Sequence, residues 1–593
     1  MEQNLYQLSA HTIRTLSMDA VQKANSGHPG MPMGMADVAT VLWTRYLKHN
    51  PKDPHWFDRD RFVLSAGHGS MLLYSLLHLS GYDLSLEDIK SFRQMGSNTP
   101  GHPEFGMTPG VEMTTGPLGQ GFATGVGMAM AERHVAAHFN DEQETLIDHF
   151  TYAIVSDGDL MEGVSHEAAS LAGHLELGKL IYFYDANSIS IEGNTDLAFT
   201  ENVIERFLAY GWQVMEIYGH SHGEIAGAIV SAQQNTRKPS LIICRTKIGF
   251  GSPNKEGKES SHGAPLGEEE VRLTKEVYGF DPNSSFEVSP AVYELFNLRA
   301  KDGAIIQLDW EAKIEALKND NPEKYEQIHS WMNRDYLKNL DACLPTFDAD
   351  EKGMATRASS GKVINAIKDS IPNLLGGSAD LGPSTKTDIE GDGSFTVKNP
   401  KGRTIHFGVR EFGMAAAVNG MMLHGGVHAF GATFFVFTDY LRPALRLAAL
   451  MKLPSIFVMT HDSIGLGEDG PTHQPIEHLA SLRAMPNVLV LRPADANEVS
   501  QAWRTALEHT TGPSVLVLTR QNLPTYPRTE SNPASLVSKG AYVLSASPLA
   551  TLDGIVIATG SEVQLAIQAQ SSLAEKGIGI QVVSMPSWEL FKL

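Results

Sequence analysis

The sequence predicts an α/β protein of three domains, two of which contain a doubly wound parallel sheet. Short apolar runs alternate with helix-period stretches over residues 60–250 and again over 356–527, and most runs end near Gly, Asp or Asn. Each run is almost continuously apolar, as expected of strands covered by helices on both faces. The 593 residues include 54 glycines, which suit the tight turns that join strands to helices.

Four segments are predicted along the chain. Residues 1–280 form a first α/β domain, 281–355 a charged helical connector, 356–527 a second α/β domain and 538–593 part of a third. Strands are predicted at 61–64, 152–155, 180–184 and 241–244, then at 404–407, 455–459, 488–491 and 514–518, and finally at 554–558 and 580–583. Because a doubly wound sheet needs more strands than the last segment holds, we expect the C-terminal domain to be partial.

The charge balance and the cysteines exclude several classes of protein. With 47 basic and 68 acidic side chains the net charge is −21, so the surface repels nucleic acids and anionic membranes, and an anionic substrate requires a local basic pocket. Cys244 and Cys343 supply neither a disulfide framework nor a cysteine-based zinc site, which favours a reducing, cytoplasmic compartment. No signal sequence or membrane-spanning run of roughly 18 apolar residues is expected.

Acidic and amide side chains follow two neighbouring predicted strands. Asp157 and Gly158 come after strand 152–155, and Asn187 follows strand 180–184. A carboxylate and an amide at adjacent strand ends can hold Mg²⁺ or Ca²⁺ and bridge it to a diphosphate, although two ordinary Asx turns are the alternative. Neither a P-loop motif nor a dinucleotide-binding glycine motif occurs, so these two nucleotide-binding classes drop out.

Five histidines lie beside Gly or in Pro-flanked segments. They are His28, His68, His102, His262 and His473. A single histidine of this kind is commonly a turn residue with a local hydrogen bond, but five loop imidazoles suit repeated proton transfer around a hydroxylated substrate. Their spacing lacks the i, i+4 pattern of a helical zinc site.

The second α/β domain carries three further candidate features. Glu411 follows a predicted strand and opens a helix over 414–423, where compensation of the helix dipole is the simpler explanation. Phe434, Phe437 and Tyr440 recur at i, i+3 and i+6, a spacing that alone favours the core face of a helix. Residues 461–475 are dense in Gly, Pro and polar side chains, which predicts an active-site loop.

Taken in order, these segments resemble the transketolase family of the bacterial and plant type. The matching segments are 26–30, 64–70, 115–121, the motif from Asp157 to Asn187, 409–413 and 461–473, and the resemblance runs over the whole chain. It implies a diphosphate-binding first domain, a pyrimidine-binding second domain and a homodimer with active sites at the subunit interface. Two departures are visible: Ser156 stands where the family motif usually has Gly, and the C-terminal domain ends early.

The resemblance assigns a role to each residue that matches a family motif. The metal, Mg²⁺, Ca²⁺ or Mn²⁺, would be held by Asp157, Asn187 and the carbonyl of Ile189. The cofactor, thiamine diphosphate, would contact His68, Gly116, Leu118, Gly158, Asn187, His262, Glu411, Phe434, Phe437 and Tyr440. Sugar phosphates would contact His28, His102, His262, Arg357, Ser384, His461, Asp469, His473 and Arg520. Catalysis would fall to Glu411, His28, His102, His262 and His473.

The implied reaction moves a two-carbon ketol unit reversibly from a ketose phosphate such as xylulose 5-phosphate to an aldose phosphate such as ribose 5-phosphate or erythrose 4-phosphate. This places the chain in the non-oxidative pentose phosphate pathway. The thiazolium of the cofactor would serve as the electron sink that no side chain provides. The alternatives are a dihydroxyacetone synthase, an enzyme like 1-deoxyxylulose-5-phosphate synthase, or a non-catalytic paralogue.

Overall fold

The computed structural model describes residues 2–592, without the side chains of residues 2, 3 and 339. The chain divides into two compact units, Met1–Glu326 and Gln327–Leu593. The boundary between them falls inside one helix, Pro322–Asn333. Among residues 2–592, no helix is both long and apolar enough to cross a membrane.

The first unit is built on a parallel sheet whose strands follow the order β1-β2-β3-β7-β6. A short hairpin, β4 and β5, follows β3. The strands are β1 Arg61–Leu64, β2 Thr151–Ser156, β3 Leu180–Ala186, β4 Ile189–Ser190, β5 Gly193–Asn194, β6 Gln213–Tyr218 and β7 Ser240–Arg245. Strands β2 and β3 are buried over almost their whole length, which explains their continuously apolar sequence.

Helices cover this sheet on both sides and enclose a core that includes Trp43, Tyr74 and Tyr152. The helices are α1 Glu2–Ala24, α2 Gly30–Val41, α3 Ser70–Ser80, α4 Leu86–Lys90, α5 Gln120–Phe139, α6 Asp157–Met161, α7 Gly163–His174, α8 Val203–Ala209, α9 His222–Gln234, α10 Glu268–Tyr278, α11 Pro290–Asp320 and α12 Pro322–Asn333. Short π or 3-10 turns occur at Leu42–Tyr46, Gly67–Gly69, Thr195–Leu197 and Glu259–Ser261.

The second unit contains a six-stranded parallel sheet in the order β10-β9-β11-β12-β14-β13. An antiparallel pair, β8 and β15, accompanies it, and a three-stranded sheet follows in the order β16-β18-β17. The strands are β8 Asp350–Ala355, β9 Leu374–Ser378, β10 Thr404–His406, β11 His428–Phe434, β12 Ile456–Thr460, β13 Leu489–Leu491, β14 Ser514–Leu518, β15 Asn522–Thr525, β16 Tyr542–Ser545, β17 Gly554–Ala558 and β18 Ile580–Ser584.

The helices of the second unit pack around a core that includes Ile364, Phe430 and Trp503. They are α13 Leu340–Cys343, α14 Thr356–Ile367, α15 Gly382–Thr385, α16 Glu411–His424, α17 Thr438–Leu450, α18 His478–Arg483, α19 Ala496–Glu508, α20 Val563–Ala574 and α21 Trp588–Lys592. Short 3-10 turns occur at Asp335–Asn339, Phe435–Phe437, Ile464–Leu466, Ala534–Lys539 and Gly560–Glu562.

The predicted α/β class and its parallel sheets are confirmed, and all ten predicted strands lie within two residues of observed ones. The interpretation of the aromatic spacing as one face of a helix is wrong. Phe434 ends strand β11, Phe437 lies in a 3-10 turn, and only Tyr440 lies in α17. The run from His428 forms a buried strand because β9 and β12 flank it on both sides.

Candidate active site

A pocket of about 280 Å³ in the first unit lies at the carboxyl ends of β1, β2 and β3. This is the position at which open parallel sheets bind ligands. Most of the predicted first-domain site residues line it, together with three apolar side chains and three polar ones. The lining residues are His28, Met31, His68, Gly116, Leu118, Ser156, Asp157, Gly158, Asp185, Asn187, Ile189, Ser190, Ile191, Ile248 and His262.

Two buried carboxylates meet at one end of this pocket. Ser156 pairs with Asp185 in the register of β2 and β3, so Asp157 directly follows the strand position beside Asp185. Asp157 accepts a hydrogen bond from the Tyr184 hydroxyl, and Asp185 accepts one from the Thr246 hydroxyl. Burial raises the pKa of Asp157 to about 6 and that of Asp185 to about 7. A cation bound here would stabilise both ionised forms.

The amide of Asn187 is held in a defined orientation. Its Nδ2 donates to Asp185 Oδ2 at 2.9 Å, while its Oδ1 accepts the backbone N–H of Ile189 at 2.9 Å. The amide oxygen therefore faces the loop that carries the Ile189 carbonyl. One lone pair of that oxygen is left for a cation, which suits the predicted ligand set of Asp157, Asn187 and Ile189.

Asp159, to which the sequence assigned no role, connects three segments of the pocket wall. Its Oδ1 accepts from Ser65 Oγ at 2.6 Å and from the Gly119 N–H at 2.7 Å. Its Oδ2 accepts the Ser156 N–H at 2.9 Å, and Ser156 Oγ in turn caps α6. The serine that replaces the usual glycine thus completes a capping box, and its φ of −113° needs no glycine.

Four histidines cluster around the pocket. The ring centroids of His28 lie 5.4 Å from His68, 6.2 Å from His102 and 5.9 Å from His262. Burial lowers the pKa of all four, that of His28 to about 4, where the charge of Arg93 adds to the effect. The imidazoles are therefore neutral near pH 7, and each can both donate and accept a hydrogen bond.

Arg93, another residue without a predicted role, orients His28. Its guanidinium lies 3.4 Å from His28 Nδ1, and it also donates to Ser26 Oγ at 2.8 Å. Because arginine can only donate, Nδ1 is the acceptor, which leaves the proton of neutral His28 on Nε2. His102 packs against Gly116, whose φ of +133° and close approach to the imidazole, 3.1 Å for an added Cβ, require glycine.

The pocket residues fit a diphosphate cofactor with its cation. Among residues 2–592, the buried atoms Thr115 Oγ1 and His262 Nδ1 lack a hydrogen-bond partner, so polar groups remain for a ligand. A Cβ at Gly158 would lie 2.7 Å from Leu118 Cδ1, which shows how closely the backbone and this side chain approach. Two carboxylates and an amide supply the oxygen donors that a hard divalent cation prefers.

In the second unit, most of the predicted site residues also follow the carboxyl ends of parallel strands, whereas Arg357 lies in the first turn of α14, after the antiparallel strand β8. Glu411 is the first residue of α16, a few residues after β10 ends. Its side chain is 9% exposed, and burial raises its pKa. The helix dipole favours the carboxylate, but loss of water outweighs this effect, so the carboxyl group is suited to hold a proton.

Phe434, Phe437 and Tyr440 form a continuous aromatic wall. Phe434 and Phe437 stack at 5.9 Å with an angle of 9°, and Tyr440 lies edge-on to Phe437 at 6.1 Å. The ring of His461 lies 3.7 Å from Phe434, and His473 lies 5.4 Å from Phe437. The structure therefore brings both predicted histidines of the 461–475 loop to this wall.

Two arginines, Arg357 and Arg520, place positive charge beside this aromatic wall. Burial lowers the pKa of His461 to about 3, and the positive charges of Arg357 and Arg520 add to this effect. Arg357 donates to the backbone oxygen of Ser384 at 2.7 Å, which leaves the serine hydroxyl free of that bond. Arg520 donates to the Leu466 carbonyl at 2.9 Å. The charge of Asp469 also acts on Arg357, so all four predicted phosphate ligands and the predicted hydroxyl ligand lie in one region.

Sequence reasoning missed Glu468, whose carboxylate lies 2.9 Å from Arg520 and is 76% exposed. It also gave no role to Asp159, Asp185 and Arg93. Asp185 lies within the motif from Asp157 to Asn187, so its position at the end of a predicted strand could have identified it as a site residue. The spacing of Ser156 and Asp159 is a local capping-box signal. The contacts of Asp159 with Ser65 and Gly119, and those of Arg93 with Ser26 and His28, join residues distant in the sequence and leave no local pattern.

Three family models match this chain. Residues 5–336 match the family model described as transketolase, thiamine diphosphate binding domain. Residues 352–525 match the transketolase pyrimidine binding domain, and 540–593 match the transketolase-like C-terminal domain.

Relatives and solved structures extend the match to the whole chain. A transketolase of Geobacillus stearothermophilus is 56% identical over 594 residues, which is 100% of this chain and 89% of the relative. A transketolase structure from Leishmania mexicana has 45% identity and a TM-score of 0.95, covering 99% of this chain and 87% of that one. A Pichia stipitis transketolase in complex with sedoheptulose 7-phosphate has 45% identity and a TM-score of 0.96, with the same coverage.

A parallel α/β fold with this pocket and these two cofactor domains defines a thiamine diphosphate-binding enzyme. More narrowly, the chain belongs to the transketolase family, the transferases of ketol groups.

Proposed function

We propose that the pocket of the first unit and the charged wall of the second carry out ketol transfer between sugar phosphates. The donor would be a ketose phosphate such as xylulose 5-phosphate, and the acceptor an aldose phosphate such as ribose 5-phosphate. The observation that carries this proposal is the pocket at β1–β3, where two buried carboxylates face a cluster of neutral histidines.

Thiamine diphosphate, when bound, supplies the electron sink for cleaving the bond beside a ketone. Asp157, Asn187 and the Ile189 carbonyl would hold a divalent cation, which in turn fixes the diphosphate. Gly158, His68 and His262 would contact the diphosphate, and Gly116 and Leu118 the rings. The support is that all eight residues line one pocket.

Glu411 would hold a proton on its carboxyl oxygen against a ring nitrogen of the cofactor. Its raised pKa supports this role, because burial makes the protonated form of the carboxyl group easier to reach than in water. Phe434, Phe437 and Tyr440 would exclude water from the ring. Tyr440 is 63% exposed, so much of its ring remains open for contact with the cofactor or with a second subunit.

The histidines would move protons at the substrate. His28, with its proton on Nε2, would donate to a substrate oxygen there, and His102, His262 and His473 would bind the other hydroxyls and return protons. The lowered pKa values of His28, His102 and His262 support this role, since a neutral imidazole can both donate and accept a proton.

Arg357, Arg520, His461 and the Ser384 hydroxyl would bind the sugar phosphate, and Asp469 a hydroxyl beside the aldehyde. Paired guanidiniums match phosphate oxygens, and they supply the local positive charge that an acidic protein needs. The Pichia stipitis relative was solved with sedoheptulose 7-phosphate, a ketose phosphate. This relationship supports the same class of substrate here.

A homodimer is the proposed assembly. Large apolar side chains are exposed around the second-unit site, and an apolar surface of this kind commonly meets a partner. They are Val409, Tyr440, Ile464 and Ile476, which are 63–73% exposed. A chain whose two cysteines, Cys244 and Cys343, are thiols supports a reducing, cytoplasmic location, and the substrate class supports a role in the pentose phosphate pathway.

The test is a coupled assay with xylulose 5-phosphate and ribose 5-phosphate, run with and without added thiamine diphosphate and Mg²⁺. We expect turnover only when both are present. Turnover with formaldehyde as acceptor but none with ribose 5-phosphate would contradict the proposed acceptor. No turnover with any ketose donor by the folded, cofactor-loaded protein would contradict the proposed catalytic roles.

A further inference from the structure

A second group of metal-ligating side chains lies in the second unit, outside the residues assigned above. It consists of Asp439 in the first turn of α17, Glu477 just before α18, and His478 at the start of α18. One ligand atom from each residue lies within 4.8 Å of the others. Among residues 2–592 it is the one group of at least three acidic, histidine or cysteine side chains that meets this spacing.

The burial and the unsatisfied ring nitrogens of His478 support a ligand at this group independently of the spacing of the three side chains. The His478 side chain is only 4% exposed, yet neither ring nitrogen has a hydrogen-bond partner within the described part of the chain. Asp439 Oδ2 lies 3.3 Å from Nε2, but it lies off the direction that a hydrogen bond needs. A buried imidazole without partners is costly, so a ligand that completes it would stabilise the site.

The distances suit a metal ion. With bonds of about 2.0–2.1 Å from a metal to imidazole nitrogen and carboxylate oxygen, two tetrahedral ligands lie about 3.3 Å apart. This is the separation of His478 Nε2 and Asp439 Oδ2. Glu477 is 74% exposed and its carboxylate is 3.9 Å from His478 Nδ1, so it can rotate without disturbing the core.

The charge is also favourable for a cation. Asp439 and Glu477 contribute two carboxylates. Arg442 lies nearby, 3.7 Å from Asp439 Oδ1, but its guanidinium donates to Ser481 Oγ at 2.6 Å. Binding of a metal would draw the exposed Asp439 away from a weak, long ion pair rather than from a strong one.

We propose that Asp439, Glu477 and His478 form a site for a first-row divalent transition metal, represented by Zn²⁺. One imidazole and two carboxylates match the tetrahedral chemistry of zinc, with water as the fourth ligand. This donor set differs from the all-oxygen set at Asp157, which suits a hard cation. The role follows from position: the metal would join the first turn of α17, which carries Tyr440, to the end of the 461–475 loop.

The test is titration calorimetry of Zn²⁺ into the full chain, already saturated with thiamine diphosphate and Mg²⁺. We expect one Zn²⁺ site per chain that His478→Gln and Glu477→Gln each weaken at least about 10- to 100-fold, the loss seen even for an outer partner of a metal ligand. Co²⁺ should give a visible absorption band of tetrahedral type in the parent protein and lose it in both variants.

The matched control is His55→Gln, because His55 is an exposed histidine outside the group. It should bind Zn²⁺ as the parent does. If His478→Gln fails to fold, Glu477→Gln decides the question, since its side chain is mostly exposed. Unchanged Zn²⁺ affinity in Glu477→Gln, or no Zn²⁺ binding by the saturated parent, would overturn the proposal.

Discussion

Glu411 illustrates how a single residue is tuned by opposing effects. Its place at the start of α16 puts the positive end of the helix dipole beside the carboxylate, which favours ionisation. Burial favours the protonated form, and the raised pKa means that burial prevails. A carboxyl group of this kind can exchange a proton without leaving a stable charge in an apolar site.

Glu411→Gln should keep the fold but abolish proton exchange at this position. We expect kcat to fall by about 10²- to 10⁴-fold, the usual contribution of acid–base catalysis, with a Tm close to that of the parent. Steady-state kinetics and thermal unfolding are the measurements. Glu323→Gln, in the first turn of α12, is the control and should change neither. Near-normal turnover in Glu411→Gln would remove this residue from the mechanism.

Arg520 should contribute to phosphate binding. A charge-assisted hydrogen bond contributes roughly 1.5–3 kcal/mol, so Arg520→Ala should raise KM for sugar phosphates about 10- to 150-fold and spare unphosphorylated hydroxypyruvate. Glu468 competes with phosphate for the same guanidinium at 2.9 Å. Glu468→Gln should therefore lower KM for sugar phosphates. An equal loss on both donors in Arg520→Ala would show that the arginine acts structurally.

At the scale of the element, the sequence predicted β2, β3, β12 and β14 well because burial on both faces leaves a continuous apolar run. Strand β9 was missed because it contains Gly376 and Gly377, which resemble a turn. The structure gives the reason for them: a Cβ on Gly376 would lie 2.3 Å from the Phe430 carbonyl oxygen, and one on Gly377 1.8 Å from that of Ile405. Close neighbouring strands, invisible in a local pattern, impose these glycines.

In the candidate site, too, the residues that a local sequence pattern marks could be predicted, and those that depend on distant neighbours could not. Residues at strand ends, such as Asp157 and Asn187, could be predicted because parallel strands bring their carboxyl ends to one edge. The strand position of Phe434 could not, because its spacing fits a helix as well as a strand and only pairing with β9 and β12 decides between them. Asp159 was missed because its partners at Ser65 and Gly119 are distant in the sequence.

Asp159→Asn should test whether this carboxylate holds the three segments together. Both carboxylate oxygens of Asp159 accept hydrogen bonds. In Asn one of these oxygens is replaced by an NH₂ group, which would face the N–H or O–H donors that the oxygen accepted from. We expect a loss of about 1–3 kcal/mol in stability, seen as a lower Tm, and weaker binding of thiamine diphosphate. Asp196→Asn, an exposed residue, is the control. Unchanged Tm and cofactor affinity would show that the loops are held by other contacts.

At the scale of the whole molecule, the three-stranded sheet is anchored to the larger sheet of the same unit by buried polar contacts. Glu498 Oε1 accepts from the Tyr542 hydroxyl at 2.6 Å and from Ser584 Oγ at 2.7 Å. Arg492 pairs with Asp462, the neighbour of His461, and with Glu562 of the turn before α20. The last segment therefore supports the unit although no predicted site residue lies in it.

Tyr542→Phe should separate stability from catalysis. It removes one donor from a buried carboxylate, which costs about 1–3 kcal/mol, so Tm should fall while kcat and KM stay within twofold of the parent. Thermal unfolding and steady-state kinetics of the same preparation are the measurements, with Val543→Thr, on the same strand and 37% exposed, as control. A loss of turnover at unchanged Tm would assign the C-terminal segment a part in catalysis.

Buried neutral histidines make the protein sensitive to acid. Burial lowers the pKa of His428 to about 3, below its ordinary value near 6.5. Between pH 6.5 and 3 the unfolded chain therefore binds a proton that the folded chain does not, and stability falls as pH falls.

For His428 this loss amounts to about 1.4 kcal/mol between pH 7.5 and 5.5, since one pKa unit corresponds to that energy. His428→Gln should reduce the acid-induced fall in the free energy of unfolding by this amount. Chemical denaturation at the two pH values measures it. An identical fall in parent and variant would mean that His428 takes up its proton as readily in the folded protein as in the unfolded chain.

Ser156 has a consequence for how fast the enzyme becomes active. Its capping bonds with Asp159 already fix the strand end that precedes Asp157 in the cofactor-free protein. Ordering a flexible loop slows association and reduces affinity, and a pre-formed loop avoids this loss. Freshly synthesised chains should therefore take up thiamine diphosphate in a single rapid step, whereas a Ser156→Gly variant should show a lag before full activity.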